Sequence, residues 1–473
     1  MESKPSKKET WFFALGDLYG GGGQTIISVI YLIFLTDIIG IDPAIAGTVI
    51  FISKAWDAIN DPLMGTISDN TRTRIGRRRP YILIGGILLL PALALLWLPI
   101  NAESDFWKTV YVLLTYLFYF SVNTLIMVPY SSMSAEVATD FHDRNKINTL
   151  RLVLSLISTA ICSLVPSLLF EMVTDNKLDY LTFYFILVFV FGIVFAVPHI
   201  LIGLFVKERV KAEGEKKKLS LKEFVSPLKV KSFRKLVYLY ICQAITLDIA
   251  SAVIIYYRKY VVDISSTVFL GIFLGVQLIM FAPIYHLIKT KSKTKIYRFG
   301  LPLTILAAIG IAFYPQGAPV LPLYIFTGLT ALGFAGAQST PWLMFPDVVD
   351  IVTLAREGRK TGTCSGIMTF IRTASSAFAI FLIGLALQFT GYINPTDANP
   401  NPTQPASAIF GIRFILLFGF SILMLVAFFI SKRLRLSPAL SNDIKRLNEK
   451  LDEGMELDVE EAEKYLQIKK EFI

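Results

Sequence analysis

A cluster of ionisable side chains interrupts an apolar run early in the sequence. Lys54, Asp57 and Asp61 stand three and four positions apart, with Asn60 beside them. These spacings place the amine and the two carboxylates on one face of a helix. If the run crosses a bilayer, the charges lie in hydrocarbon, where they are costly and usually mark an ion or substrate pathway. The alternative is a closed structural ion pair, but one lysine neutralises only one carboxylate.

The chemistry that this cluster could perform is the binding of a small cation. Two carboxylates one helical turn apart resist double ionisation, so a shared proton or a hard cation with oxygen ligands would stabilise them. We therefore expect Na+, H+ or Li+ as the bound ion and no other cofactor. The sequence leaves the choice among these three ions open.

Composition places the chain among membrane proteins. Hydrophobic residues make up 54% of it and charged residues 17%, and the mean hydropathy is +0.58. A soluble protein is typically about a quarter charged. An enzyme is not expected, because the sequence has no nucleophile–histidine–acid set, no phosphate-binding glycine loop and no metal cluster.

Twelve apolar runs, the second of them at about 43–68, predict an all-α membrane protein with twelve transmembrane helices in two six-helix halves. The charged stretch between the sixth and seventh runs predicts a short amphipathic helix at the membrane surface. Two such halves resemble the major facilitator architecture, in which the substrate site lies between the halves and rocking exposes it to each side in turn. The predicted segments are a cytoplasmic arm at 1–10, an N-terminal half at 11–206, a linker at 207–235, a C-terminal half at 236–434 and a cytoplasmic tail at 435–473.

Basic residues predict the orientation of the helices. Of the 46 Lys and Arg, 39 fall in the segments that share one side with both termini, and 5 fall on the opposite side. By the positive-inside rule, we expect both termini to be cytoplasmic. We expect a multi-pass protein of the plasma membrane. Anionic lipid headgroups are sufficient partners for the net charge of +10, and we expect no nucleic acid partner. We expect a monomer.

A longer motif surrounds the charged cluster and points to a family. Residues 56–80 read WDAINDPLMGTISDNTRTRIGRRRP. Looser matches are GDLYGG in the first run, VPYSSMSAEV in the fourth, PDVVDIV after the tenth and TGTCSGIMTFIRTASSAF in the eleventh. Together these motifs resemble the glycoside–pentoside–hexuronide:cation symporters over nearly the whole chain. The resemblance implies a secondary active transporter that carries a sugar or glycoside together with a cation by alternating access.

The resemblance also implies a coupling-cation site in the first half. Asp57 and Asp61 match the two carboxylates that form the family's site. Asn60 and Thr124 match positions that assist there. If the ion is sodium, the two aspartates are its expected ligands.

The sugar site implied by the resemblance is only partly reproduced. Asp17 matches a carboxylate that hydrogen-bonds sugar hydroxyls, and Arg151 matches an arginine near the same sugar. Met127 replaces a second sugar-binding aspartate of a galactoside-carrying member, and Ser131 replaces a tryptophan that stacks on the sugar. A galactoside is therefore not the expected substrate. Alternatively, Asp17 caps a locally unwound helix before the glycines at 20–23.

Arg372 is a full charge inside the eleventh run and needs an anion or water. It stands one residue before Thr373, the position that aligns with a lysine of the family, so either Arg372 takes over the role of that lysine near the substrate or the alignment is shifted by one residue. The alternative is a structural ion pair with a carboxylate of another helix.

Charged loops supply candidate gating residues. Asp69, Arg77 and Arg78 lie in the loop after the second run, and Asp347 and Asp350 lie at the end of the tenth. Such groups can latch one open state by ion pairs. Surface ion pairs contribute only about 0–1 kcal/mol each, so only a network of them would hold a gate.

The sequence therefore predicts a cation-coupled symporter of a sugar or glycoside. A same-fold symporter of a lysolipid or another amphiphile stays open, because the galactoside pocket is not reproduced. A non-transporting membrane sensor also stays open because of the long tail, although the intramembrane carboxylates argue against it.

Overall fold

The computed structural model describes the chain except for 1–3, 101–103, 135, 139–140, 210–224, 263, 289–290, 358–360, 396–398, 400–401, 435, 454, 456–457 and 473. The predicted surface helix of the linker falls largely on 210–224 and so lies outside the described residues.

In the described part of the chain, where a short 3-10 turn, Ser226–Lys229, precedes the seventh helix, we number fourteen helices, several of them made of consecutive segments with α or π hydrogen bonding. They are α1 (Lys7–Leu15, Asp17–Ile26, Ile27–Tyr31, Phe34–Ile38), α2 (Pro43–Asn70), α3 (Arg79–Trp97), α4 (Asp105–Met133), α5 (Phe141–Thr174), α6 (Tyr180–Phe185, Ile186–Phe191, Gly192–Phe205), α7 (Lys231–Tyr260), α8 (Ser266–Ile288), α9 (Lys293–Phe299, Leu301–Ala312), α10 (Val320–Val352, Thr353–Glu357), α11 (Thr361–Phe389), α12 (Ala406–Leu417, Phe418–Ile422, Leu423–Lys432), α13 (Pro438–Asp452) and α14 (Val459–Phe472).

The all-α prediction is confirmed. Helices α3 to α12 provide ten described stretches that are long and apolar enough to cross a membrane. The helix α1 is divided into short segments, and α2 carries Lys54, Asp57 and Asp61 within its span. Together, α1–α6 and α7–α12 form the two six-helix halves. Among the described residues, β pairing is limited to an isolated bridge between Thr73 and Gly76.

Glycines allow close packing between helices at two places, each of which joins separate parts of the bundle. A Cβ atom at Gly21 would lie 2.2 Å from the carbonyl oxygen of Ser155, so α1 packs directly against α5. A Cβ atom at Gly384 of α11 would lie 2.3 Å from the carbonyl oxygen of Pro43 at the start of α2. The second contact joins the two halves.

The bundle has two ends, which we call the terminal face and the distal face. The terminal face is the end where α1 begins and where the tail helices pack. The distal face is the end where α1 and α7 finish. At the terminal face, the Ser232 hydroxyl of α7 donates to the carbonyl oxygen of Phe472, and Ile468 is buried. The tail therefore packs against the C-terminal half.

Candidate functional site

The two central carboxylates of α2 converge on one hydroxyl of α4. The Thr124 Oγ1 atom lies 3.0 Å from Asp57 Oδ1 and 2.9 Å from Asp61 Oδ1. A threonine hydroxyl has one hydrogen, so it donates to one carboxylate at a time. The other contact needs a proton on a carboxyl group or a cation between the oxygens. The three oxygens match the ligand type that small hard cations take.

The amide beside this oxygen cluster comes from α4. The Asn123 side chain is buried, and its Oδ1 atom accepts a hydrogen bond from the Tyr19 hydroxyl of α1 at 3.0 Å. Asn60, the amide expected from the sequence, is half-buried, and no hydrogen bond described here joins it to Asp57 or Asp61. Its role in cation binding stays a prediction.

Lys54 contacts the other half of the protein. Its side-chain amine donates to the Ser376 hydroxyl of α11 at 2.6 Å, and the residue is 6% exposed. Among the described residues it makes no ion pair. The lysine therefore links the two halves next to the oxygen cluster.

Arg372 forms a two-pronged ion pair with Asp248 of α7. Its Nη1 and Nη2 atoms lie 2.7 Å and 2.8 Å from the two carboxylate oxygens, and the Asp248 side chain is 5% exposed. Arg372 thus forms the structural ion pair that was the alternative to a role near the substrate. It also lines a cavity, which is described next. The sequence analysis missed Asp248, although a lone carboxylate inside an apolar run was a usable signal.

A cavity of about 300 Å³ lies beside these groups, between the halves. This volume is within the range of small-molecule sites. Of the predicted substrate residues, Met127 and Arg372 line it, whereas Ser131 is exposed elsewhere. The lining comes from α1, α2, α4 and α11 and is formed by Tyr19, Gly20, Gln24, Ser28, Lys54, Asp57, Phe120, Asn123, Met127, Arg372, Thr373 and Ser376.

Asp17 and Arg151 form a second buried cluster with Tyr130. The Arg151 guanidinium pairs with Asp17 and lies 4.5 Å from the centre of the Tyr130 ring. The Tyr130 hydroxyl lies 3.1 Å from the same carboxylate oxygen of Asp17. Asp17 therefore forms an ion pair and a hydrogen bond between helices, and no helix-capping bond from its side chain is described. Neither Asp17 nor Arg151 is among the residues that line the cavity.

The predicted gating residues lie at the terminal face, and the contacts described there stay within one half. Arg78 pairs with Asp69 at 2.9 Å, and Arg77 pairs with Glu136. In the C-terminal half, Asp347 pairs with Lys293 at 2.6 Å.

The predicted gating residue Asp350 contacts the tail helix α13 through its backbone. Its backbone carbonyl oxygen accepts a hydrogen bond from the Asn448 amide of the tail at 2.9 Å. No ion pair or hydrogen bond described at this face joins the two halves.

Polar contacts across the halves are concentrated at the distal face. The Asp37 carboxylate of α1 accepts from the Lys259 amine at 2.7 Å, the Tyr260 hydroxyl at 2.9 Å and the Tyr392 hydroxyl at 2.7 Å. Its side chain is 2% exposed. Three donors of the C-terminal half thus surround one carboxylate of the N-terminal half.

A second carboxylate repeats this arrangement. Glu171 at the end of α5 accepts from the backbone N–H of Thr267 at 2.7 Å and from the Ser265 hydroxyl at 3.0 Å. Both donors lie at the start of α8, where backbone N–H groups lack partners within the helix. The sequence analysis missed these carboxylates, which stand at the ends of the first and fifth runs.

Comparisons with known proteins assign the chain to a family of transporters. A family model described as MFS/sugar transport protein matches residues 12–437. The chain belongs to this family of membrane transporters, and more closely to the glycoside–pentoside–hexuronide:cation symporters. It is a transporter and not an enzyme.

Two relatives and one solved structure indicate how close the likeness is. The chain is 29% identical to the uncharacterized symporter YjmB of Bacillus subtilis, over 91% of this chain and 92% of that protein. It is 28% identical to a putative sulfoquinovose importer of Salmonella typhimurium, over 87% and 85%. A bacterial homologue of the human peptide transporters PepT1 and PepT2 shares the fold, with a TM-score of 0.60 at 12% identity over 94% of this chain and 99% of that one.

Proposed function

We propose that this transporter carries a sugar or glycoside together with one monovalent cation. The observation that carries the proposal is the Thr124 hydroxyl between Asp57 and Asp61, beside a cavity that both halves line. A single hydroxyl hydrogen cannot satisfy both carboxylates, so the cluster favours a proton or a small cation. The same cavity offers hydroxyl, amide and aromatic groups to a sugar.

The charges around the cavity support a stoichiometry of one cation. Asp17 pairs with Arg151, and Asp248 pairs with Arg372. The remaining groups are one lysine and the two aspartates of α2, which carry one net negative charge when ionised. One monovalent cation makes the set neutral and lowers the cost of burying it while the halves rock. Because the two ligands bind the same state, sugar and cation should tighten each other's binding by equal factors.

The terminal face is cytoplasmic in this proposal, since 39 of the 46 basic residues lie on that side. The contacts between the halves at the distal face then form an outer gate that is closed in this structure, which corresponds to an inward-facing state. In that state the sugar and cation exchange with the cytoplasm.

The test is a binding screen followed by uptake. The purified protein is heated with xylose, galactose, glucuronate, isoprimeverose or lysophosphatidylcholine, each with Na+, Li+ or neither, at two pH values. Ligands that bind the folded protein raise its melting temperature. We expect one sugar to stabilise the protein more strongly when a monovalent cation or proton is supplied, and the same sugar to accumulate in proteoliposomes along that ion gradient.

The matched variants are Asp57→Asn and Asp61→Asn, which keep the side-chain shape and remove one charge. We expect both to abolish cation-stimulated uptake while some cation-independent sugar binding persists. Stabilisation by lysophosphatidylcholine alone would favour the amphiphile alternative, and sugar binding without any uptake would favour a sensor. A variant whose sugar affinity still rises with sodium as steeply as in the unmodified protein would move the cation site elsewhere.

A further inference from the structure

A groove opens between the beginnings of α1 and α5 at the terminal face, and we call it the α1–α5 groove. Its volume is about 640 Å³. Among the described residues, it shares no lining side chain with the central cavity or with the Asp17–Arg151–Tyr130 cluster. The groove is therefore a separate concave site of the molecule. It is lined by Pro5, Lys7, Thr10, Trp11, Asp143, Lys146, Thr149, Leu150 and Val153.

The spacing of the lining residues orders them from the surface inward. Lys7 of α1 is followed by Trp11 four positions later, and Lys146 of α5 is followed by Leu150 and Val153 four and seven positions later. Such spacings keep each set on one face of its helix. Because both helices run from the terminal face into the bundle, the lysines lie at the face and the apolar side chains lie one to two turns deeper.

The outer end of the groove is positively charged. The Lys7 and Lys146 side chains are exposed, and none of the ion pairs in the described part of the chain involves either of them. The described lining residues carry one opposing charge, on Asp143, so two lysines and one aspartate leave a net charge of +1. The hydroxyls of Thr10 and Thr149 stand three positions after the lysines and add hydrogen-bond donors. Together these groups match an oxyanion such as a phosphate.

The inner end of the groove continues as an apolar stripe on the surface of α5. Trp11 is 52% exposed and Val153 is 47% exposed. Ile157 and Ile161 follow Val153 at intervals of four residues, and each is 48% exposed. Tryptophan is enriched where membrane-spanning helices meet the headgroup layer. A lone phosphate ion would leave this stripe uncovered, whereas an acyl chain would cover it.

We propose that the α1–α5 groove binds an anionic phospholipid from the leaflet at the terminal face. The lipid phosphate lies between Lys7 and Lys146, and one acyl chain follows Trp11 and Val153 along α5. Basic pockets between transmembrane helices on the cytoplasmic side are typical sites for anionic headgroups. The terminal face carries 39 of the 46 basic residues. This inference goes beyond the proposed symport and does not depend on it.

The experiment measures lipid contact at Trp11 by fluorescence quenching. The full-length protein in a neutral detergent is titrated with phosphatidylglycerol whose acyl chains carry bromine, which quenches a tryptophan that the chain touches. Brominated phosphatidylcholine has the same chains without net charge and measures contact that does not depend on the headgroup charge. Excess glycerol phosphate is the soluble headgroup alone. The variant Trp11→Phe keeps an aromatic ring and shows which part of the quenching comes from Trp11 among the five tryptophans.

The charge of the groove is tested with the double variant Lys7→Gln/Lys146→Gln. The matched control is Lys8→Gln/Lys295→Gln, which removes two exposed lysines at the same face that do not line the groove. Glutamine is nearly as good a helix former as lysine, and all four positions are exposed, so both variants should fold.

We expect phosphatidylglycerol to quench at a lower concentration than phosphatidylcholine, and Trp11→Phe to lose this difference. Each lysine near an anionic headgroup contributes about fivefold in affinity, so the midpoint for phosphatidylglycerol should rise about thirtyfold in the groove variant. The midpoint should stay unchanged in the control variant. Excess glycerol phosphate should leave the quenching unchanged, because it cannot cover the apolar stripe.

Four other results would overturn the inference. Quenching that glycerol phosphate prevents would mean a site for a soluble anion. Equal midpoints for the two lipids would mean apolar contact without recognition of charge. A headgroup-dependent difference that survives in Trp11→Phe would place the lipid elsewhere. A midpoint that shifts equally in both double variants, or in neither, would mean that the groove lysines have no special role. None of these results bears on sugar or cation uptake, so the proposed symport stands or fails separately.

Discussion

At the scale of single residues, Asp248 and Arg372 form a buried pair whose two members depend on each other. Breaking such a pair by removing one charge is more costly than removing both, because the remaining charge stays buried without a partner. We expect Asp248→Asn to destabilise the protein by about 3 kcal/mol, the lower end of the range for buried pairs, because the Arg372 side chain is 29% exposed at the cavity wall. We expect the double variant Asp248→Asn/Arg372→Gln to recover much of that loss.

Thermal unfolding in detergent, followed by intrinsic fluorescence, compares these variants. The exposed Asp105→Asn serves as the control, because its carboxylate is 76% exposed and its contact with Lys108 is long, at 3.6 Å. Equal melting temperatures for the single and double variants would contradict a mutually dependent pair.

Asp17 is the residue for which the substrate role is most directly testable. An ionised carboxylate offers several acceptor sites to sugar hydroxyls. In the structure these sites are taken by Arg151 and Tyr130, so a sugar would share or displace those donors. We expect Asp17→Asn to weaken sugar binding more than sodium binding, measured by titration of each ligand. A loss of sodium affinity with sugar affinity preserved would reverse the assigned role.

At the scale of helices, the contact between α1 and α5 depends on the absence of a side chain. A Cβ atom at Gly21 would lie 2.2 Å from a backbone oxygen of α5, and backbone atoms do not move aside as flexible side chains do. We expect Gly21→Ala to lower stability by about 1–3 kcal/mol, as overpacking does.

The control for this prediction is Gly275→Ala in α8, where no atom lies within 4 Å of the added Cβ. Alanine is the better helix former by about 1 kcal/mol, so this variant should be neutral or more stable. The melting temperatures of Gly21→Ala and Gly275→Ala are compared with that of the unmodified protein. Equal changes in the two variants would show that the packing of α1 against α5 tolerates the added methyl group.

Helix positions were largely predictable from the sequence, whereas helix irregularities were not. The second apolar run, at 43–68, corresponds to the helix Pro43–Asn70. The π segments of α1, Ile27–Tyr31 and Phe34–Ile38, have no counterpart in the sequence pattern. A π turn differs from an α turn only in which carbonyl each N–H group reaches, and packing against neighbouring helices decides that choice.

The residues of the candidate site were also only partly predictable from the sequence. Helical spacing alone places Asp57 and Asp61 on one face of α2. Thr124 joins them from another helix, which only the family resemblance suggested. Asn123 was missed because its role depends on which helices are neighbours. Asp248 stands out locally as a lone carboxylate in an apolar run, but its pairing with Arg372 depends on the packing of α7 against α11, which no local pattern contains.

At the scale of the whole molecule, the asymmetry of basic residues predicts the orientation. With 39 basic residues on one side and 5 on the other, both termini and the linker should be cytoplasmic. A cysteine introduced at Ser220 should therefore resist a membrane-impermeant thiol reagent in right-side-out vesicles. Rapid labelling there would overturn the topology, and labelling after the vesicles are permeabilised shows that the cysteine is reactive.

The distal face provides a test of alternating access. Asp37 accepts three donors from the C-terminal half, and a hydrogen bond to a charged group contributes about 1.5–3 kcal/mol. Asp37→Asn removes the charge and replaces one acceptor oxygen with a donor that faces other donors. Because about 1.4 kcal/mol changes an equilibrium tenfold, this variant should open the distal face about tenfold more often, or more.

A cysteine at Ser28 measures this opening, since Ser28 lines the central cavity and the distal route reaches it only when the face opens. The three native cysteines are replaced by serine in this background. We expect Asp37→Asn to speed labelling by an impermeant thiol reagent added outside, and Asp105→Asn, at the same face but within one half, to leave the rate unchanged. Equal rates in both variants would mean that other contacts hold the face closed, of which the Glu171 contacts with the start of α8 are the next to remove. A slower rate would mean that the Asp37 cluster stabilises the outward-open state, which would reverse its assignment as the outer gate.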